Sequence, residues 1–228
     1  MIKVILWDVD GTLLDFNLQE KNAMIKGFKD YSLGALTEEM LKRYSEINKK
    51  YWEDLEKGLY KKNEILVKRF DDFFKEYNLV CDPISFNKDY QVNLGDTICF
   101  MENAYEIVKD LKVKVKQYIV TNGTYQAQIH KLTKSGLINL VDDYFISDTV
   151  GFDKPNIEFF NYVFERIGKN NKDEMLIVGD SLTSDMQGGV NAKIKCCFYN
   201  PNGITDYKGL NIDYDIKSLN DIKKIINM

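Results

Sequence analysis

Apolar positions follow two rhythms along the chain. The run Ile2 to Leu6 has no alternating polar face and predicts a strand buried on both sides, as in a parallel α/β sheet. It ends in Trp7-Asp8-Val9-Asp10-Gly11-Thr12. From residue 16 to 95 strand-like runs disappear and three- and four-residue spacing takes over. A helix is predicted near 19–31. A second, capped by Thr37 with Glu38 and Glu39 in its first turn, carries Leu41, Tyr44, Ile47, Tyr51, Trp52 and Leu55 on one apolar face, with Asn48 among them. Gly58 stops it. A third segment covers 62–77, and Pro83 opens a fourth.

A strand–helix rhythm resumes near Glu102. A helix at 104–112 leads to a strand at 114–120 that ends in Thr121-Asn122-Gly123, followed by another helix. Asp143 to Ser147 reads as a short strand. Lys154-Pro155 opens a helix burying Ile157, Phe160, Phe164 and Ile167. Met175 to Val178 is a strand that runs into Gly179-Asp180-Ser181, with Asp185 at the start of the next helix. Strands Ile194 to Tyr199 and Tyr214 to Ile216 follow, and Ser218 caps a terminal helix. The predicted architecture is α/β: a parallel-sheet core from residues 1–15 and 96–228, interrupted by an all-helical insertion at 16–95.

Composition narrows the function. The 228 residues are 44% hydrophobic and 29% charged, the balance of a globular protein with a large core. A net charge of -4 offers no basic field for nucleic-acid phosphates. No apolar run approaches the ~20 residues that span a bilayer. Met1-Ile2-Lys3 enters the first strand at once, without space for a leader, so a cytoplasmic protein is expected. Cys81, Cys99, Cys196 and Cys197 show no metal-binding or redox spacing and read as buried thiols. The single histidine, His130, has no second ligand near it and reads as structural. Acid–base chemistry therefore falls to carboxylates or lysine.

The candidates lie at strand ends and in one loop: Asp8 and Asp10, then Thr121-Asn122-Gly123, then Lys154, then Asp180 and Asp185. Each has a bland explanation as a cap, turn or solvated charge. All of them must hold at once for the set to be accidental, and the carboxyl ends of parallel strands are where ligands bind. The chemistry agrees: a carboxylate approaching a phosphate dianion at ~4 Å is repelled by several kcal/mol, so cations are required. Asp8, Asp180 and the backbone carbonyl of Asp10 offer hard oxygen ligands suited to magnesium, and Lys154 adds positive charge. The Thr121 hydroxyl and the Asn122 and Gly123 amides are disposed to hold phosphoryl oxygens.

In the order and spacing of Asp8-Val9-Asp10-Gly11-Thr12, Thr121-Asn122-Gly123, Lys154-Pro155 and Gly179-Asp180-Ser181-Leu182-Thr183-Ser184-Asp185, the sequence resembles the haloacid dehalogenase superfamily of hydrolases. The resemblance implies a three-layer Rossmann-like core with a helical cap over the active site. It implies Asp8 as nucleophile, forming an aspartyl-phosphate, and Asp10 as the acid and then base for the two half-reactions. A bell-shaped pH dependence that is lost in Asp10→Asn is expected. Gly11, Thr121, Asn122, Gly123 and Lys154 would bind phosphate along with Asp10. Asp185 would serve the magnesium directly, or serve Lys154 or a metal-bound water.

Dehalogenases of the superfamily need neither Asp10 nor a full magnesium site, and P-type ATPases carry threonine in place of Asp10 on a far longer chain. A phosphomutase keeps every motif. A non-catalytic phosphate binder would normally lack one of the carboxylates present here. In the insertion, Tyr31-Ser32-Leu33, the stretch from Tyr44 to Trp52, Gly58 and Arg69-Phe70, together with Val150-Gly151-Phe152-Asp153-Lys154-Pro155, resemble the house-cleaning pyrimidine 5'-nucleotidases of bacteria. That implies a nucleoside monophosphate substrate, with Tyr44, Asn48, Tyr51 and Trp52 stacking on and reading the base. A sugar-phosphate or phosphoglycolate-type phosphatase is the alternative. One departure is Lys193, which stands where the superfamily commonly has glycine and implies a mildly strained left-handed turn.

Overall fold

The computed structural model describes residues 1–168 and 171–226. The chain divides into two compact units, Met1–Phe16 with Ile98–Met228, and Asn17–Thr97.

The first unit is built on a six-stranded sheet, β1 (Val4–Trp7), β2 (Lys116–Thr121), β3 (Asp143–Ile146), β4 (Met175–Gly179), β5 (Lys195–Tyr199) and β6 (Tyr214–Ile216), in the order β3-β2-β1-β4-β5-β6. Every pairing is parallel. β1 lies between β2 and β4, with Val4 opposite both Lys116 and Met175. Successive residues of β1 feed opposite layers: Ile5 and Trp7 join one core cluster, Val4 and Leu6 the other. That is the physical reason for its unbroken apolar run. Trp7 also satisfies its indole, donating to Gln117 Oε1 at 3.0 Å.

The helices α1 (Phe16–Asp30), α2 (Glu38–Glu56), α3 (Lys62–Glu76) and α4 (Pro83–Asp96) precede α5 (Ala104–Leu111), α6 (Tyr125–Ser135), α7 (Ser147–Val150), α8 (Ile157–Ile167), α9 (Gln187–Ala192) and α10 (Ile222–Ile226). Ile107 and Val108 of α5, Leu132 of α6 and Ile222 of α10 cover one face of the sheet. Phe159, Phe160 and Val163 of α8 cover the other, giving three layers. The last helix before β4 starts later than predicted: Asn156 caps it by accepting from Glu158 N, so Pro155 lies outside, and Phe159, Phe160 and Val163 are its buried residues. Asp185 falls within a π-helical turn at Leu182–Met186 ahead of α9. Lys193 closes α9 in the left-handed region at φ 57°.

The second unit contains α2, α3, α4 and nearly all of α1. Its core is aromatic: Tyr44 stacks on Phe70 with ring centroids 5.1 Å apart, and Phe28, Phe73, Phe74, Phe86 and Tyr90 are buried around them. A polar layer crosses it. Arg69, 1% exposed, donates to Asn48 Oδ1 at 2.7 Å and to Asn87 Oδ1 at 3.1 Å, while Asn48 donates to Glu20 at 3.1 Å and Ser45 to Glu20 at 2.7 Å. Among the described residues no helix is long and apolar enough to cross a membrane. Of the thiols expected to be buried, Cys196 and Cys197 on β5 are, whereas Cys81 and Cys99, outside the sheet, are only half-buried.

Candidate active site

Chain connection proceeds from β1 toward β2 and β3, then returns to β4 on the other side of β1. The residues just past β1 therefore stand where strand order reverses, the crevice that open α/β sheets leave for ligands. Asp8 occupies it, its backbone tied to the sheet by donation from Asp8 N to Val178 O at 2.9 Å. Gly11 turns the chain at φ 94°, and a side chain there would run into the Asp180 carboxylate. The turn thus lets the ends of β1 and β4 approach, and Thr12 Oγ1 donates to Asp180 Oδ1 at 3.2 Å.

Lys154 is 1% exposed, and its ammonium makes three bonds: to Asp8 Oδ1 at 2.8 Å, Asp185 Oδ1 at 2.6 Å and Val120 O at 2.8 Å. These use all three ammonium hydrogens. Asp185 Oδ2 accepts from Ser181 N at 3.2 Å. Asn122 explains how Lys154 is placed: its side chain donates to Lys154 O at 2.8 Å and accepts from Lys154 N at 2.7 Å. The side chain of Asn122 is thus a clamp on the Lys154 backbone, a role the motif alone did not suggest. Thr121 is buried, and its hydroxyl accepts from Gly123 N at 3.3 Å.

One carboxylate oxygen from each of Asp8, Asp180 and Asp185 can be chosen so that all lie within 4.8 Å of one another. Among the described residues Lys154 is the one buried cation bonded to this group, so negative charge is in excess. Burial raises the proton affinity of Asp8 well above the usual carboxylate range; Lys154 opposes the rise, and Asp185 and Asp180 add to it. Asp180 is pushed up to about 7, first by burial and then by the charge on Asp185. At Lys154, burial works against the ammonium, but Asp185 and Asp8 outweigh it and its proton is held more tightly than usual. An oxygen-only donor set with surplus negative charge fits a hard divalent cation such as magnesium. Asp10's carboxylate is not in that group, leaving its backbone carbonyl as the oxygen available for the metal role expected of it.

The Asp10 carboxylate instead meets α6. Lys131 Nζ donates to Asp10 Oδ1 at 2.6 Å and Gln128 Nε2 to Oδ2 at 2.5 Å. Neither residue was singled out from the sequence. The signal was their three-residue spacing on one face of the helix after Thr121-Asn122-Gly123, but a lone lysine there reads as a solvated charge.

The helical-unit candidates need correction. Tyr44 is fully buried between Phe70, Phe73 and Tyr90, so its ring is core and not a platform for a base. Asn48 is 3% exposed, with its amide nitrogen on Glu20 and its oxygen on Arg69; the partner a polar group needs on an apolar face is protein. Tyr51 is buried too, donating to Asp72 at 2.5 Å. Trp52 is half-buried.

The family model for haloacid dehalogenase-like hydrolases matches residues 2–193. The chain is 34% identical over 226 residues to the HAD-hydrolase YfnB of Bacillus subtilis, covering 99% of this chain and 96% of that protein. A crystal structure of YfnB bound to magnesium superposes with a TM-score of 0.94, covering 100% of this chain and 99% of that one. The pyrimidine 5'-nucleotidases PynA of Streptococcus pneumoniae and YjjG of Escherichia coli are 30% and 28% identical, covering 96% and 97% of this chain and 93% and 96% of theirs. The chain belongs to the haloacid dehalogenase-like hydrolase family.

Proposed function

We propose that the protein is a magnesium-dependent phosphatase that acts through an aspartyl-phosphate on Asp8, with nucleoside 5'-monophosphates, pyrimidine ones above all, as substrates. The observation that carries the chemistry is the buried Asp8 carboxylate at the point of strand reversal, 2.8 Å from the Lys154 ammonium and grouped with Asp180 and Asp185. The substrate class is supported by similarity to PynA and YjjG over nearly the whole chain.

Asp8 attacks phosphorus while the alkoxide leaves, and Asp10, which must carry a proton on one of its two held oxygens before this step, gives it to that alkoxide. Asp10 then takes a proton from the water that cleaves the Asp8 acyl phosphate, so one carboxyl serves both halves. The Thr121 hydroxyl and the Asn122 amide bind the phosphoryl oxygens, joined by the Gly123 amide when it leaves Thr121 Oγ1; the Gly11 amide is already engaged, donating to Leu14 O at 2.8 Å, so Gly11 serves the turn and not the phosphate. Lys154 fixes Asp8 and supplies positive charge; because its hydrogens are engaged, a direct bond to phosphate follows only when one of the present acceptors gives way. Asp8, Asp180 and the Asp10 carbonyl, with Asp185 supporting, would hold magnesium, which would supply the positive charge needed against the repulsion between Asp8 and a phosphate dianion.

The test is phosphate release, with and without magnesium, from nucleoside monophosphates, sugar phosphates and phosphoglycolate, with Asp8→Asn as the blank. Magnesium-dependent release favouring UMP, dUMP or TMP is expected. A preference for sugar phosphates would discard the nucleotide assignment and leave the core chemistry standing.

A further inference from the structure

An aspartate in a loop just past a strand has several rotamers open to it, yet the Asp10 carboxylate is gripped on both oxygens. Lys131 takes Oδ1 at 2.6 Å and Gln128 takes Oδ2 at 2.5 Å, from one face of α6. Short charge-assisted bonds of this kind are the strong, directional ones. Lys131 is 1% exposed and its ammonium lies 5.3 Å from the centroid of the Phe16 ring, so solvent does not compete for it. Gln128 is also buried, and its Oε1 has no hydrogen-bond partner among the described residues. Gly123 belongs to the same arrangement: a side chain there would overlap the Gln128 amide and its stem. Gly123 backbone, Gln128 side chain and Asp10 carboxylate are therefore contiguous, which sets Asp10 beside the 121–123 loop.

We propose that Lys131 and Gln128 are positioning residues that hold the Asp10 carboxylate against the 121–123 loop, aimed at the leaving oxygen of a phosphate monoester bound there. This rests on Asp10 being the acid of the proposed reaction. Two anchors on two oxygens fix both side-chain torsions, and such pre-orientation is worth up to roughly a hundredfold in rate when it is lost. An ordinary structural ion pair between the loop and α6 would affect all substrates alike. A positioning role affects only substrates whose leaving group needs a proton.

The experiment compares kcat/KM, which reports steps through formation of the Asp8 acyl phosphate, for p-nitrophenyl phosphate and for the alkyl monoester turned over fastest. Nitrophenolate leaves without protonation; an alkoxide does not. Asp10→Asn should lower kcat/KM for the alkyl ester far more than for the aryl ester. Lys131→Met should reproduce that pattern, losing about 10- to 100-fold on the alkyl ester and less than about threefold on the aryl ester. Gln128→Met should do so more weakly, and Lys131→Arg should recover part of the loss. Aryl-ester turnover and the thermal midpoint report folding in each variant, and if Lys131→Met does not fold, the neutral Gln128→Met carries the test. Equal losses on both esters, no loss, or a gain on the alkyl ester would overturn the proposal while Asp10→Asn still discriminates between them. If Asp10→Asn itself does not discriminate, the assignment of Asp10 as acid fails and the proposal fails with it.

Discussion

At the scale of residues, the site stores unbalanced charge. Asp8 and Asp180 bind protons more tightly in the folded chain than when unfolded, Asp180 with its value moved from 3.8 to about 7. A carboxylate raised in this way makes the folded state the better proton binder between those values. Its contribution to stability therefore falls as pH rises from about 4 through about 7, the reverse of a salt-bridged aspartate. The proposed magnesium would compete with those protons and relieve the same repulsion. In metal-free protein, Asp180→Asn should raise the thermal midpoint at about pH 8 and change it little at about pH 5, and magnesium should stabilise the wild type more at the higher pH. Calorimetry at both pH values checks this; an Asp180→Asn protein no more stable than wild type at the higher pH contradicts it.

At the scale of elements, β1 and α2 differ in how much their spacing reveals. The unbroken run in β1 could be satisfied only by burial on both faces, and its residues alternate between two core clusters. On α2 the spacing located the buried face but could not say what covers it. Tyr44 and Asn48 satisfy the same helical pattern whether they meet a ligand or the neighbouring helices, and they meet Phe70, Glu20 and Arg69. The partners that decide the matter lie 21 to 28 residues away in sequence, beyond any local rhythm. Lys131 was illegible for the same reason, since its partner Asp10 is 121 residues distant. Asn48→Ala would leave Arg69 and Glu20 short of a buried partner, at a cost of about 1–3 kcal/mol. A lower thermal midpoint with the KM ratio of UMP to p-nitrophenyl phosphate unchanged is expected. A selective rise in the nucleotide KM at full stability would restore Asn48 to base recognition.

At the scale of the molecule, the parallel sheet brings side chains from four separated stretches to one strand end, and their order along the chain was enough to identify the family. The motifs mark positions, whereas the bonds between them depend on the fold: Asn122 clamping Lys154, Lys154 joining Asp8 to Asp185, and Gln128 reaching Asp10. Every part of the proposed chemistry converges on Asp8 as the atom donor to phosphorus. The most direct measurement is acid quenching of the enzyme during magnesium-supported turnover, followed by mass spectrometry of the peptide containing Asp8. A phosphoryl group on Asp8 that appears within the first turnover, decays when substrate is exhausted and is absent from Asp8→Asn is the predicted result. Turnover that persists in Asp8→Asn, with no phosphorylated Asp8 in the wild type, would contradict it.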